Sequence, residues 1–221
     1  YAPVGEIREE GQTLTGDLSG GVQVLLEAAV LCNDASLAQE EQKWVVVGDP
    51  TEGALLVVAA KVGVTKAALA ATHSLLGEAP FDAERKRMTV VRDSSDGPVA
   101  YVKGAPDSLL PECSRYRTVS GKVEPLTDDV RQQIVMANSL FAQHALRVLG
   151  IAVRPLMSLP STFQAQKLER DLIFLGLVAM KDPLRTEAKI AAATCRDAGI
   201  RTVMITGDHK DTAIAIAREL G

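Results

Sequence analysis

Apolar residues recur at two different spacings along this chain, and the spacing predicts which segments are helices and which are strands. A spacing of three and four residues predicts helices over about 22–33, 54–62, 127–144, 187–198 and 210–220. Short continuous apolar runs predict strands over about 44–47, 88–91, 99–102, 147–153, 172–179 and 200–205. Residues 1–20 are polar and Gly-rich, which is typical of an entry loop or a weak hairpin.

The order of these segments divides the chain into two parts. Residues 81–102 hold two short apolar runs joined by a polar turn, so we expect a meander there. After a break at 160–162, the run 172–179 is typical of a strand that is buried on both faces of a parallel sheet. The strand–helix–strand–helix order from there onward is half of a doubly wound sheet. We therefore expect a domain boundary near 154–168.

Composition and charge exclude several classes of protein. Hydrophobic residues make up 47% and charged residues 24%, the usual mix of a globular chain with a core. The net charge is −4, no basic block stands out and aromatic residues are only 4%, which argues against a nucleic-acid partner. The cysteines are far apart in sequence, so we interpret them as reduced thiols. The longest apolar run, 172–180, has half of the roughly 20 residues that a membrane helix needs, so no span is expected.

Polar residues follow the last two predicted strands, at what would be one edge of their sheet. Thr206, Gly207 and Asp208 follow the strand at 200–205, and the polar run 181–185 follows the preceding strand. Open α/β sheets hold phosphate at this edge, beside the helix N-termini. The alternative is that an aspartate in each loop only caps the helix that comes next. Two such loops at one edge favour a phosphate or Mg²⁺ site, and both interpretations stay open.

Four motifs resemble those of P-type ATPases and occur in the order found in that family. They are Gly-Asp-Pro-Thr-Glu-Gly-Ala at 48–54, Val-Lys-Gly-Ala-Pro-Asp at 102–107, Lys-Asp-Pro-Leu-Arg at 181–185 and Met-Ile-Thr-Gly-Asp-His at 204–209. The stretch 195–208 is especially similar to the type II pumps, the calcium and sodium/potassium branch. The resemblance covers nearly the whole chain, and four motifs in order are specific.

The resemblance implies a fold class and a division into domains. The expected class is α/β, with a mixed, largely antiparallel sheet and flanking helices that form a nucleotide-binding domain over residues 1–160. A truncated, doubly wound βαβα piece, similar to haloacid dehalogenases and part of a phosphorylation domain, is expected over residues 161–221.

The resemblance also implies an ATP pocket. Its expected residues are Glu52, Phe81, Lys86, Lys103, Gly104, Arg147 and Leu149. Phe81 would stack on the adenine ring, Glu52 would lie near the adenine amino group, and Arg147 would reach the phosphates. The two lysines would line the pocket, the glycine would let the base approach closely, and the leucine would pack on the base. An aromatic wall with a few cations suits a nucleotide physically.

A second group of residues is implied for the phosphoryl-transfer step. Thr206, Gly207 and Asp208 would meet the γ-phosphate and the ribose, and Asp182 and Arg185 would support them.

Simpler interpretations compete with these roles. Phe81 is equally typical of a core aromatic, and Lys86 lies in the charged run 84–87, which is typical of a solvated hairpin edge. Lys103 precedes a turn and has an exposed side chain in this alternative. One departure from the family is that Ala83 stands where some calcium pumps carry an arginine, which removes one phosphate contact.

The sequence lacks the Asp-Lys-Thr-Gly-Thr loop on which the family forms its aspartyl-phosphate. We therefore expect the ATP-binding cytoplasmic portion of a P-type cation-transporting ATPase, in a chain that binds ATP and Mg²⁺ but does not turn ATP over alone. It would be a soluble monomer at the cytoplasmic face of a membrane, and its partners would be the pump's phosphorylation loop, actuator domain and membrane helices. Calcium is the expected ion. The alternatives are a stand-alone nucleotide-binding module and a phosphatase similar to haloacid dehalogenases.

Overall fold

The structure is a computed structural model, and the residues that it describes fall into two compact units. It describes residues 2–9, 12–13, 18, 20–41, 43–144, 146–181, 185–205 and 210–221. The first unit contains residues 1–128 and 149–178, and the second contains 129–148 and 179–221. The predicted boundary near 154–168 stays a prediction.

The first unit is built on a large sheet with helices on both sides. Its strands are β1 (Arg8–Glu9), β2 (Gln12–Thr13), β3 (Ser36–Glu40), β4 (Lys43–Val47), β5 (Leu75–Asp82), β6 (Arg87–Arg92), β7 (Val99–Gly104), β8 (Cys113–Arg117), β9 (Val123–Pro125), β10 (Arg147–Pro155) and β11 (Leu172–Met180). Its helices are α1 (Gly20–Leu31), α2 (Pro50–Ala60), α3 (Lys66–Thr72), α4 (Pro106–Leu109) and α6 (Ala165–Leu168), with a 3₁₀ turn at Leu110–Glu112. The ends of β10 and β11 at residues 147–148 and 179–180 belong to the second unit.

The second unit consists mainly of helices. These are α5 (Asp128–Gln143), α7 (Thr186–Asp197) and α8 (Lys210–Leu220). The Arg196 guanidinium donates a hydrogen bond to the carbonyl of Gly221, which links α7 to the end of α8. Each of these helices lies where the apolar spacing predicted one.

Seven strands form the main sheet, in the order β5-β6-β7-β10-β11-β8-β9. The pairs β5–β6, β6–β7, β7–β10 and β8–β9 are antiparallel, and β8–β11 is parallel. The sheet is therefore mixed and largely antiparallel, as expected. The two strands predicted for the meander over 81–102 are β6 and β7, and β5, which pairs with β6, was not predicted. Two small antiparallel hairpins, β1–β2 and β3–β4, lie outside the main sheet.

Both faces of the sheet are buried at β6 and β7, and alternation along β6 decides which residue faces which layer. Side chains alternate between faces along a strand. Arg92 faces α1, because its Nε donates to the Leu31 carbonyl at 2.8 Å, and Met88, four positions earlier on the same strand, lies on the same face. Val91 directly precedes Arg92 and therefore lies on the opposite face, where it packs against Leu168 of α6 and its neighbours.

The predicted strand over residues 200–205 is wrong for this structure. These residues carry no strand, and Val203 and Ile205 are 75% and 94% exposed. A strand needs a neighbour that takes its backbone hydrogen bonds, and no described strand pairs with this segment. The preceding strand, β11, is formed as predicted but lies in the main sheet between β10 and β8. Within the described part of the chain, no helix is long and apolar enough to cross a membrane.

Replacing Gly53 by alanine should destabilise the fold. A Cβ at this position of α2 would lie 2.6 Å from Cγ2 of Val46, inside the packing of α2 on the β3–β4 hairpin. We expect a loss of about 1–3 kcal/mol in the free energy of unfolding, since overpacking outweighs the gain in helix propensity. Urea unfolding measures the change. Gly20→Ala is the control, because nothing lies within 4 Å of its added Cβ, and equal stability of both variants would contradict the packing.

Candidate functional site

The end of β5 presents an exposed aromatic ring. Phe81 is 64% exposed, which is unusual for so large an apolar side chain. It lies on the edge strand of the sheet, next to Asp82, whose register partner on β6 is Arg87. The interpretation of Phe81 as a core aromatic is therefore wrong. Its ring is free to pack on a flat apolar group from outside.

A buried ion pair lies on the face of the sheet that α1 and α2 cover. Lys103 on β7 is only 7% exposed, and its ammonium pairs with the carboxylate of Glu52 on α2. The register places Lys103 between Met88 of β6 and Ile151 of β10. The interpretation of Lys103 as an exposed residue before a turn is wrong. A charge this deep needs a partner of opposite charge, and Glu52 supplies it.

Glu52 also fixes the loop that follows α1. Its Oε2 accepts backbone N–H donors from Asp34 at 3.0 Å and Ala35 at 2.9 Å. Glu52 is the third residue of α2, whose first turn is capped by the Asp49 side chain. The helix begins at Pro50, a residue type favoured in the first helical turn, four residues before the predicted start near 54. The carboxylate therefore connects α2, the loop and β7.

The same loop is tied down from α3. Lys66 Nζ donates to the carbonyls of Asn33 at 2.6 Å and Ala35 at 2.7 Å, and burial lowers the pKa of this lysine. Asn33 is buried and its Nδ2 donates to the Glu52 carbonyl at 3.0 Å. Its Oδ1 has no hydrogen-bond partner among the described residues. Hydrogen bonds that join α3, the loop after α1 and α2 therefore hold the backbone around Glu52 in place.

Lys86 lies in a tight turn between β5 and β6. Its φ is +51°, and its N–H donates to the Asp82 carbonyl at 2.7 Å. Its carbonyl accepts from the N–H of Ala105, directly after β7, at 3.0 Å. Its ammonium lies 3.1 Å from the Asp107 carboxylate, with both side chains more than half exposed. The lysine amine is therefore accessible while its backbone is fixed against the end of β7.

Gly104 allows β6 and β7 to approach closely at this end. An added Cβ would lie 2.6 Å from the Lys86 carbonyl oxygen and 2.9 Å from Arg87 Cα. Gly150 of β10 pairs with Gly104 on the other side. Leu149, the residue before Gly150, is half-buried and lies at the same end of the strands. Because Gly104 has no Cβ, the backbone of Lys86 can pack directly against the end of β7.

The remaining predicted residues are not brought into this group by what the structure describes. Arg147 is exposed and belongs to the second unit. Arg185 is also exposed in that unit, at the N-cap position of α7. Asp182, Thr206, Gly207 and Asp208 lie outside the described residues.

A buried carboxylate behind the turn was missed by the sequence analysis. Glu169 is 3% exposed and pairs with Arg85 and Arg87. The interpretation of the run 84–87 as a solvated edge is therefore wrong for Arg87, whose side chain is 12% exposed. Strand alternation gave a signal, since it puts Arg87 on the same buried face as Val91. The sequence did not reveal which carboxylate meets it.

An apolar cavity of about 510 Å³ lies between α2, α3 and the β3–β4 hairpin. Its lining includes Leu37, Trp44 and Leu56. Lys66 also lines it, but the Lys66 amine already donates to two backbone carbonyls. The cavity therefore lacks an available cation for a phosphate. In the described part of the chain, no three His, Cys, Asp or Glu side chains are grouped to hold a metal ion.

The cysteines are free thiols, as predicted. Cys32 is fully buried beside the Lys103–Glu52 pair, and burial raises the pKa of its thiol from about 9 to about 11. The nearby Lys103 ammonium lowers this pKa, but burial has the larger effect. Since the thiolate is the reactive form, Cys32 is an inert core residue at neutral pH.

The comparisons with known proteins agree with this architecture. The family model described as P-type ATPase, cytoplasmic domain N, matches residues 21–187. The chain is 47% identical over 199 residues to calcium-transporting ATPase 1 of Bacillus cereus, covering 90% of this chain and 22% of that protein. It is 39% identical over 226 residues to cation-transporting ATPase pma1 of Synechocystis, covering 100% of this chain and 24% of that protein. The chain therefore belongs to the P-type ATPase family and spans about a quarter of these relatives' length.

The buried Cys32 thiol should make the fold less stable in alkali. The folded chain keeps this proton up to a pKa of about 11, whereas the unfolded chain loses it near 9, so stability falls as pH rises between these values. Between about pH 8 and about pH 10.5 we expect this thiol to remove about 2 kcal/mol from the free energy of unfolding.

Urea unfolding of Cys32→Ser at both pH values tests this expectation. The variant should lose stability less steeply with pH than the parent chain. Cys195→Ser is the control, because Cys195 is only partly buried and should leave the slope unchanged. An unchanged slope in Cys32→Ser would show that the thiol does not contribute.

Proposed function

We propose that this chain is the ATP-binding part of a P-type cation pump and presents the γ-phosphate of ATP to an aspartate outside these 221 residues. The observation that carries the proposal is the exposed ring of Phe81 at the end of β5 together with the accessible amine of Lys86 in the turn that follows, while Lys103 of β7 is paired with Glu52. Membership of the P-type ATPase family supports it.

Phe81 offers a stacking surface for the adenine ring. Its ring is 64% exposed at the edge of the sheet, so stacking requires no rearrangement of the core. Stacking of a base on an aromatic side chain contributes about 1–3 kcal/mol. It also removes the exposed apolar surface of Phe81 from water. The base therefore binds where the protein has left an apolar group uncovered.

Glu52 has room for one further donor. Its two oxygens accept from the Lys103 ammonium and from the N–H groups of Asp34 and Ala35. A carboxylate has about four acceptor positions, so one is left for an amino group such as that of adenine. We propose that the adenine amino group takes this position. The pair with Lys103 holds Glu52 in place before the nucleotide arrives.

Lys86 supplies positive charge for the phosphates. Its ammonium pairs with Asp107 only at the surface, where an ion pair is weak. A polyphosphate competes with a single exposed carboxylate for this amine, because it carries more charge. The family resemblance adds Arg147, for the phosphates, and Leu149, for the base, as proposed ATP-binding residues. Mg²⁺ would enter with the nucleotide, bound to its phosphates.

The phosphoryl-transfer side of the proposal concerns the later part of the chain. Thr206, Gly207 and Asp208 would approach the γ-phosphate, and Asp182 and Arg185 would support them. We propose a phosphorylation-domain piece similar to haloacid dehalogenases after the main-sheet strand β11, later in the chain than the 160/161 division expected from the sequence. We propose that this chain binds MgATP without forming an aspartyl-phosphate, since its sequence has no Asp-Lys-Thr-Gly-Thr loop. We propose calcium as the transported ion, since relatives from Bacillus cereus and Lactococcus lactis are named calcium-transporting ATPases.

Replacing Phe81 by alanine tests the nucleotide site. We expect MgATP affinity, measured by calorimetry, to fall about tenfold or more through loss of stacking. The unfolding midpoint should stay the same, because the ring is exposed. Leu75→Ala is the matched control, since Leu75 is 57% exposed on the same strand and should leave affinity unchanged.

Two outcomes of this experiment would contradict the proposal. Equal MgATP affinity in Phe81→Ala and the parent chain would remove the stacking role. Release of phosphate from ATP by the parent chain would favour the phosphatase alternative.

A further inference from the structure

We propose that Glu169 is a positioning residue for the nucleotide site. It fixes the turn at 82–87 from the opposite face of the sheet, and so sets Phe81 and Lys86 for the base and the phosphates. This inference rests on the proposed function, because the nucleotide is what gives the position of the turn its importance.

The Glu169 carboxylate is fully engaged by β6 and its preceding turn. Its side chain is 1% exposed, and Oε2 accepts from Arg87 Nε at 2.7 Å. Oε1 accepts from Thr89 Oγ1 at 2.8 Å and pairs with the Arg85 guanidinium. A carboxylate this deep is stabilised only by such partners. Contacts with Glu169 therefore hold the side chains of Arg85, Arg87 and Thr89 in place.

Arg85 connects Glu169 to the backbone of the residue before Phe81. Its second guanidinium nitrogen donates to the Pro80 carbonyl at 2.8 Å. The arginine thus joins Glu169 to the backbone of β5 immediately next to the exposed ring. If Glu169 loses its charge, Arg85 has no buried counter-ion to keep its guanidinium over Pro80.

Arg87 connects Glu169 to the segment that follows β7. Its guanidinium donates to the Ser108 carbonyl at 2.7 Å and to the Glu112 carboxylate at 3.0 Å. Asp107, the partner of the Lys86 ammonium, lies next to Ser108. Glu169 therefore fixes both arginines that flank Lys86 in sequence.

Glu169 itself does not reach the nucleotide face. Arg87 and Thr89 alternate with Met88 along β6, and Met88 is on the face of Lys103 and Glu52. Glu169 therefore lies on the other face and acts through the arginines. Its effect should appear in nucleotide affinity and in the turn, beyond any effect on stability.

The test compares Glu169→Gln with Arg92→Met in the full chain. The glutamine keeps the shape and removes the charge. Arg92 is also buried on β6, at the opposite end, and donates to the Leu31 and His73 carbonyls. Arg92→Met therefore destabilises the same strand without touching the turn. Glu169→Asp is the conservative variant, which keeps the carboxylate.

MgATP affinity is measured by calorimetry at a temperature where circular dichroism shows every variant folded. Amide hydrogen exchange at residues 82–87 is measured by NMR without nucleotide. We expect Glu169→Gln to weaken MgATP binding about tenfold and to speed exchange in the turn, with partial recovery in Glu169→Asp. Arg92→Met should change neither quantity, although it lowers the unfolding midpoint.

Equal affinity in Glu169→Gln and the parent chain would overturn the proposal, and so would equal weakening in Glu169→Gln and Arg92→Met. If the parent chain binds no MgATP, the proposed function fails and the exchange data decide on Glu169. Faster exchange at 82–87 in Glu169→Gln alone would then support its control of the turn, and unchanged exchange would contradict it.

Discussion

The buried ammonium of Lys103 is the constraint on which the rest of this face depends. A charge at this depth is tolerated only with a counter-ion in contact, and Glu52 of α2 supplies it. Because the same carboxylate accepts two backbone N–H donors from the loop after α1, one ion pair fixes α2, that loop and β7 together. The apolar neighbours Met88 and Ile151 exclude water from the lysine stem.

A second buried carboxylate, Glu169, acts on the opposite face of the same strands. Glu52 and Glu169 restrict the backbone at the adjoining ends of β6 and β7. Buried charges on both faces of the sheet therefore hold the turn between β5 and β6 in place. The side chains of Phe81 and Lys86 remain exposed at this turn. Because the backbone that carries these two side chains is already fixed, a ligand has to order only the side chains, which favours a preformed site.

Local patterns predicted the five longest helices and the strands β4, β6, β7, β10 and β11, but neither β3, β5, β8 and β9 nor the long-range partners. Short apolar runs and a polar turn were enough for β6 and β7. The pairing of Arg87 with Glu169 joins residues 82 positions apart, and no local pattern encodes such a contact. The apolar run 172–179 predicted a strand correctly, but its place in the main sheet depends on β8. The run 200–205 resembles a strand equally well and forms none, because apolar content alone does not supply a pairing partner.

The most direct test of the nucleotide site is an NMR titration of the isotope-labelled chain with MgATP. We expect the largest shifts at residues 81–88 and 102–105, together with intermolecular contacts between Phe81 ring protons and adenine protons. Shifts confined to the apolar cavity around Trp44, or an adenine that contacts no proton of Phe81, would contradict the proposed site.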